Sequence, residues 1–172
     1  ADRGVMNQTL LKLVSQNTRQ PVETEGDVYS LAACNDIGCN RLVEMMKEFE
    51  IDDLKKLSDF IYEKSLTAVE NEIKKIPNGV YKNSMMIDGF EKDIKLEAKL
   101  TVSDNSISVD YTGTSDKSKF GINVPLSYTK AYTCFGLSCL VSAEIPNNAG
   151  SLKPFEIDAP LGSILNAPYP AA

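Results

Sequence analysis

The residues Ile73-Lys74-Lys75-Ile76-Pro77-Asn78-Gly79-Val80-Tyr81 mark a change in hydrophobic period, and that change decides the fold class. Upstream, apolar residues recur at helical steps. Leu54, Leu57, Ile61, Ala68, Val69, Ile73 and Ile76 share one stripe, which stops before Pro77-Asn78-Gly79. Ahead of Asp52-Asp53 a second stripe holds Val28, Leu31, Ala32, Asn35, Cys39, Leu42, Met46 and Phe49, the spacing of a buried helix face. Two long amphipathic helices joined by a short connection predict an antiparallel helical hairpin, an arm over residues 22–77 with a coiled-coil-like seam. A short amphipathic helix over 5–15 precedes it and ends by Pro21, because proline disfavours helical geometry at Gln20.

Downstream of Gly79 the period becomes two. Val80-Tyr81 and residues 84–88 read as a first strand. Ile94, Leu96, Ala98, Leu100 and Val102 alternate with polar residues, Asp104-Asn105 turns, and Ile107, Val109 and Tyr111 alternate again. This is a β-hairpin. Residues 126–145 read as a buried helix introduced by Asn123-Val124-Pro125, and 154–157 as one more short strand. Residues 78–172 therefore form a β-rich part with one buried helix. The whole is expected to be a single α+β domain: a long antiparallel helical hairpin followed by a small antiparallel sheet with a buried helix.

At 172 residues, 42% hydrophobic and 24% charged, the chain has the composition of a globular domain with a sizeable core. A net charge of -6, with no dense Lys/Arg cluster, argues against nucleic acid and anionic membranes as partners. The most apolar stretch, 131–145, is shorter than the ~20 residues a membrane-crossing helix needs. It is also closed by Glu144 and Pro146. No charged n-region followed by an apolar h-region marks a secretory signal.

Signals of catalysis are sparse. The chain has no His, so imidazole bases, Ser-His triads and His-ligated metals are excluded from it. No Gly-rich segment matches a phosphate loop. Cys34 and Cys39, and again Cys134 and Cys139, stand five positions apart within helical segments, a rotation of ~140° that points the two thiols to different faces. We expect free cysteines packed as small hydrophobes, in keeping with a reducing cytoplasm, and no metal site.

Three polar segments remain as candidate sites. Asp110-Tyr111-Thr112-Gly113-Thr114-Ser115 ends a strand in small hydroxyl residues, which can present hydroxyls and backbone N–H groups to a carbonyl or anion. The residues alone favour the other reading, a turn whose Thr and Ser bond their own backbone. Pro146-Asn147-Asn148-Ala149-Gly150 together with Gly162-Ser163-Ile164-Leu165-Asn166 makes the second, whose Asn and Gly are explained as left-handed turn positions. The candidates are Asp110, Thr112, Gly113, Thr114 and Ser115, with Asn147, Asn148 and Asn166 behind them. The third segment, Gly26-Asp27, is read as favouring a helix dipole.

Taken in order, these segments resemble one family. They run Arg19-Gln20-Pro21, Gly26-Asp27, Ala32-Ala33, Gly38 with Asn40-Arg41-Leu42, Ile76-Pro77-Asn78-Gly79-Val80-Tyr81 and Val109-Asp110-Tyr111-Thr112-Gly113-Thr114-Ser115. Ile145-Pro146-Asn147-Asn148-Ala149-Gly150, Pro154-Phe155-Glu156-Ile157 and the stretch from Pro160 to Ala171 follow. This ordered set resembles the hydantoinase B family, which includes part of 5-oxoprolinase and the large subunits of acetone and acetophenone carboxylases. The resemblance implies a cytoplasmic subunit working with a hydantoinase A-type partner that binds ATP with Mg. That partner phosphorylates a substrate oxygen, and the B-type subunit helps open a small cyclic amide (hydantoin, N-methylhydantoin or 5-oxoproline) or carboxylate a ketone.

Family members are several times longer and carry upstream His and Asp residues, which bind a metal in the carboxylases. The absence of those residues, and an opening Ala1-Asp2-Arg3 without Met, lead us to expect an internal segment that is inactive alone and holds no cofactor itself. The alternative is a non-catalytic assembly domain of such a complex, or part of a carboxylase. The sequence does not fix an oligomeric state; a homo-oligomer is one option, and an exposed seam on the arm or a bare sheet edge left by truncation would drive artificial dimers.

Overall fold

A computed structural model describes residues 4–170 of the chain; Ala1-Asp2-Arg3 and Ala171-Ala172 lie outside the described residues. The elements run α1 (Gln8–Gln16), α2 (Pro21–Glu48), α3 (Leu54–Ile73), β1 (Gly79–Ile87), β2 (Ile94–Ser103), β3 (Ser106–Asp110), α4 (Leu126–Val141), α5 (Ala149–Leu152) and β4 (Phe155–Asp158). The α+β class read from the sequence stands. The chain divides into two compact units, Ala1–Leu54 and Lys55–Ala172.

In the first unit, Asn7 caps α1 by accepting from the N–H groups of Thr9 and Leu10, both at 3.1 Å. Leu11 is buried, and Gln8 donates to the Tyr29 hydroxyl of α2 at 3.1 Å. Helix α2 begins at Pro21, earlier than its apolar stripe indicates. Proline at the first helical position loses an N–H that would be unbonded anyway, so the residue that ends the preceding segment also starts this helix. The stripe itself is not buried. No residue of α2 is buried, and Leu31 and Phe49 are 66% and 64% exposed. Periodicity shows that a helix has an apolar face; it does not supply the surface that covers it. Both helices of the expected arm exist, but they fall in different units.

In the second unit a four-stranded sheet has the order β1-β2-β3-β4. β1 pairs antiparallel with β2 from Gly79↔Val102 to Ile87↔Ile94 without interruption, and β2 pairs antiparallel with β3 around Asp104-Asn105. That turn is held from outside: Asn78 donates to Asp104 at 2.5 Å, and Asn105 donates to Glu70 of α3 at 3.1 Å. β4 joins β3 in parallel, with Ile107 beside Phe155 and Val109 beside Ile157. The sheet is thus mixed where a purely antiparallel one was expected. The parallel step is possible because the connection between β3 and β4 is long and contains α4.

Alternation puts Val102, Ile107, Val109, Phe155 and Ile157 on one face of the sheet, where they form the core with Val69 and Ile73 of α3 and Leu137 of α4. Val69 and Ile73 are fully buried, so the stripe read on α3 is covered at its C-terminal half, while Leu57 and Ile61 of its first half are exposed. Helix α4 is not enclosed as expected. It buries Thr129, Leu137 and Ser138, and presents Tyr128, Tyr132, Phe135 and Leu140 outward. Its sequence is apolar all round, but the sheet reaches only one side of it.

Candidate functional site

The strand-end loop after β3 is organised by its own hydrogen bonds. Asp110 accepts from the Thr112 hydroxyl at 2.6 Å and from the Thr112 N–H at 2.9 Å, and Lys99 Nζ lies 3.9 Å away. These contacts, the hydroxyl first, hold the Asp110 carboxyl below its ordinary range against a small opposing effect of burial. Gly113 has φ +98°, and a Cβ there would stand 2.7 Å from Glu97 Oε2. The buried Thr114 hydroxyl accepts from the Glu97 N–H at 3.1 Å and donates to the Glu97 carbonyl at 3.2 Å. The Ser115 hydroxyl accepts from the Lys95 N–H at 2.9 Å, and its own N–H donates to the Lys95 carbonyl at 2.9 Å.

The Thr114 and Ser115 hydroxyls therefore serve largely as substitutes for ladder bonds to β2.

The asparagine candidates separate in space. The Asn147 side chain is exposed. Asn148 is extended, with φ -157°, and forms a capping box with Ser151 at the start of α5. Its Nδ2 donates to Ser65 Oγ of α3 at 2.8 Å. Gly150 is required by contact rather than by a left-handed backbone, since a Cβ there would lie 2.2 Å from the Tyr62 carbonyl oxygen. Asn166 donates to the Ala159 carbonyl at 2.7 Å and accepts from the Gly162 N–H at 2.9 Å, closing the turn that follows β4. Only this last segment meets the strand-end loop, through Ile164 N–H to the Ser115 carbonyl at 3.0 Å.

Beside that junction lies a groove of about 380 Å³ that motif reasoning missed. Its apolar walls include Ile87 of β1, Leu96 of β2, Val124 and Ile164. Val124 is fixed to the same turn by Val124 N–H to Ile164 carbonyl at 2.9 Å, and the Thr129 hydroxyl of α4 donates to the Leu165 carbonyl at 2.6 Å. The polar groups are hydroxyls. Tyr111 and Thr133 are hydrogen-bonded at 2.7 Å, and Tyr128 stacks on Tyr132 with ring centroids 4.4 Å apart. Hydrogen bonding to Tyr132, with some desolvation, raises the Tyr128 hydroxyl above its ordinary value, so it is a neutral donor and acceptor at pH 7. No lining residue carries a charge. A groove of this size and character suits a small neutral molecule with one or two hydrogen-bonding groups. The i, i+4 spacing of Tyr128 and Tyr132 was the one local signal for it.

Among the described residues, no group of three or more His, Cys, Asp or Glu side chains is placed to hold a metal ion. The cysteines are free, as expected, but Cys34, Cys39 and Cys139 are exposed rather than packed. Cys134 is half-buried, and burial pushes its thiol up, with Lys130 opposing. No described helix is long and apolar enough to cross a membrane.

The class defined by this fold and site is an α+β protein that carries an uncharged, hydroxyl-rimmed groove between its sheet and α4. Its family follows from comparison with known proteins: the chain belongs to the Hydantoinase B/oxoprolinase family, whose model matches residues 1–172. A relative from Pseudomonas sp. (strain NS671), named as the B subunit of a putative D-/L-hydantoinase, is 28% identical over 99% of this chain and 31% of its own length. 5-Oxoprolinase 1 of Arabidopsis thaliana is 28% identical over 90% of this chain and 13% of its own length. The chain thus spans a third or less of the curated relatives it matches. The crystal structure of ATP-dependent caprolactamase from Pseudomonas jessenii superposes with a TM-score of 0.86 at 18% identity, over 98% of this chain and 30% of that one. At that identity the likeness establishes the fold.

Proposed function

We propose that the chain acts as part of the B-type component of an ATP-dependent enzyme that opens a small cyclic amide, such as hydantoin, N-methylhydantoin or 5-oxoproline. The observation that carries this reading is the family match across residues 1–172, joined to a relative named as the B subunit of a hydantoinase. Cyclic amides are stable, and phosphorylating the amide oxygen makes the ring carbon a better electrophile. ATP with Mg is assigned to a hydantoinase A-type partner, because this chain has no phosphate loop and the described residues offer no metal-holding cluster. Within the chain, the groove beside α4 suits such a ring: its walls are apolar, and its tyrosine and threonine hydroxyls can meet one amide C=O and one N–H.

A second reading makes the segment a scaffold of the same complex, and the strand-end loop favours it, since Thr114 and Ser115 are occupied by the backbone of β2. Replacing Tyr128 and Tyr132 with Phe in the full-length protein, assayed with its partner and ATP, separates the two. Both hydroxyls sit on half-exposed rings, so the substitutions leave the packing intact. Loss of ring opening in an intact complex supports the site; unchanged turnover supports the scaffold. A carboxylase role, suggested by the fold shared with acetone carboxylase (TM-score 0.76), would appear as ATP-dependent consumption of a ketone with bicarbonate.

A further inference from the structure

The groove beside α4 is braced by bonds of its own. Thr129 donates to the Leu165 carbonyl at 2.6 Å, the Val124 N–H to the Ile164 carbonyl at 2.9 Å, and the Tyr111 and Thr133 hydroxyls are bonded at 2.7 Å. Its walls are therefore fixed to one another within the unit Lys55–Ala172.

Tyr128, Thr129, Tyr132 and Thr133 follow the i, i+1, i+4, i+5 pattern of one face of α4, and all four line the groove. Their hydroxyls are not equivalent. Thr129 is buried and gives its hydrogen to Leu165, and Thr133 is engaged with Tyr111. Tyr128 and Tyr132 have each other: their rings stack at 4.4 Å, and the Tyr132 hydroxyl is the main influence on that of Tyr128.

Two hydroxyls held side by side carry two hydrogens, and a bond between them uses one. What is left for a ligand is one O–H donor and, on the neighbouring oxygen, free lone pairs. The matching group has an acceptor and a donor together on one edge. A secondary amide in a small ring is such a group, because the ring holds it cis and sets C=O and N–H on the same side. An open-chain secondary amide is trans by a wide margin and points them in opposite directions. An N-alkylated ring amide has no hydrogen to give. The apolar walls take the remaining ring atoms.

We infer that the Tyr128 and Tyr132 hydroxyls recognise the cis edge of a ring amide, one donating to its C=O and the other accepting from its N–H. The pair thereby separates cyclic amides from open-chain and N-alkylated ones. Opening the ring destroys that edge, so the same pair lets the product go. The assignment rests on the groove serving the ring opening proposed above, and adds to it the two hydroxyls that choose the ring.

Binding and turnover test the two separately. With the full-length protein and its partner, in the absence of ATP, ligand-observed NMR gives dissociation constants for 2-piperidinone, its N-methyl derivative and N-methylacetamide. The first should bind about tenfold more tightly than the other two, and Tyr128→Phe or Tyr132→Phe should bring all three within about twofold. Circular dichroism and co-purification with the partner check that the variants are folded, and the wild-type ranking decides without them. Equal binding of the three, no binding of 2-piperidinone, or a preference that survives both substitutions overturns the assignment. ATP-dependent opening of hydantoin is measured on the same samples. If it persists without the preference, the assignment alone falls; if it is absent as well, the ring-opening reading falls with it.

Discussion

The hydroxyls of Tyr111 and Thr133 lie 2.7 Å apart and join the residue after β3 to the middle of α4, beneath the groove. Both side chains are half-buried, so this bond ties the sheet to the helix where little water competes. Replacing Tyr111 with Phe and Thr133 with Val, singly and together, should reveal a coupling of about 1 kcal/mol in chemical denaturation. Additive effects would show that the two hydroxyls are independently solvated.

Thr114 binds both the N–H and the C=O of Glu97. Thr114→Val keeps the shape and strands both backbone groups, and should cost about 2 kcal/mol, whereas Thr114→Ser should cost much less. The comparison of midpoints at constant slope checks this.

Gly150→Ala should destabilise by about 2 kcal/mol or more, because its methyl would overlap the Tyr62 backbone rather than a movable side-chain end. The same change at Gly136, which has open space around it, should be neutral or slightly stabilising, since alanine is the better helix former. Thermal melts of the two variants give the contrast directly.

Asp110 is held low chiefly by Thr112. A carboxyl whose folded value is depressed contributes stability above its unfolded value and loses it as pH falls through the folded one. Thr112→Val should therefore raise the Asp110 midpoint in an NMR titration, towards the ordinary aspartate range, and flatten the stability loss in acid. An unmoved midpoint would mean that the Thr112 N–H, which the variant keeps, and not the hydroxyl controls this carboxyl.

Thiol alkylation followed by mass spectrometry should modify Cys34, Cys39 and Cys139 before Cys134, whose burial both shields it and disfavours the thiolate. Equal rates would contradict the packing of α4.

Much of this was legible in the residues. The change of period at Pro77-Asn78-Gly79 located the boundary between α3 and β1, and the alternation from Ile94 to Tyr111 located the hairpin. Both depend on neighbours in sequence. The parallel docking of β4 was not legible, because Phe155 meets Ile107 only across a long connection, and a four-residue strand carries no mark of its partner's direction. The exposure of α2 and of the Tyr128–Phe135 face of α4 was hidden for a related reason: an apolar residue states a preference for cover, while the available cover is set by the rest of the fold.

The groove failed for distance as well. Ile87, Leu96, Tyr111, Thr133 and Ile164 come from five separate segments, so no motif could announce them. At Asn148 the residue was noticed and its role misassigned, although an Asn followed three positions later by Ser151 was a readable capping signal.

The central claim is an ATP-dependent ring opening that needs more than these residues. The direct measurement is product formation from hydantoin, N-methylhydantoin and 5-oxoproline, with and without ATP and Mg, by the full-length protein with its A-type partner and by this chain alone. The expected result is turnover of at least one of these cyclic amides by the complete pair only when ATP is supplied, and none by the 172-residue chain. Ring opening by the chain alone, or by the pair without ATP, would contradict it.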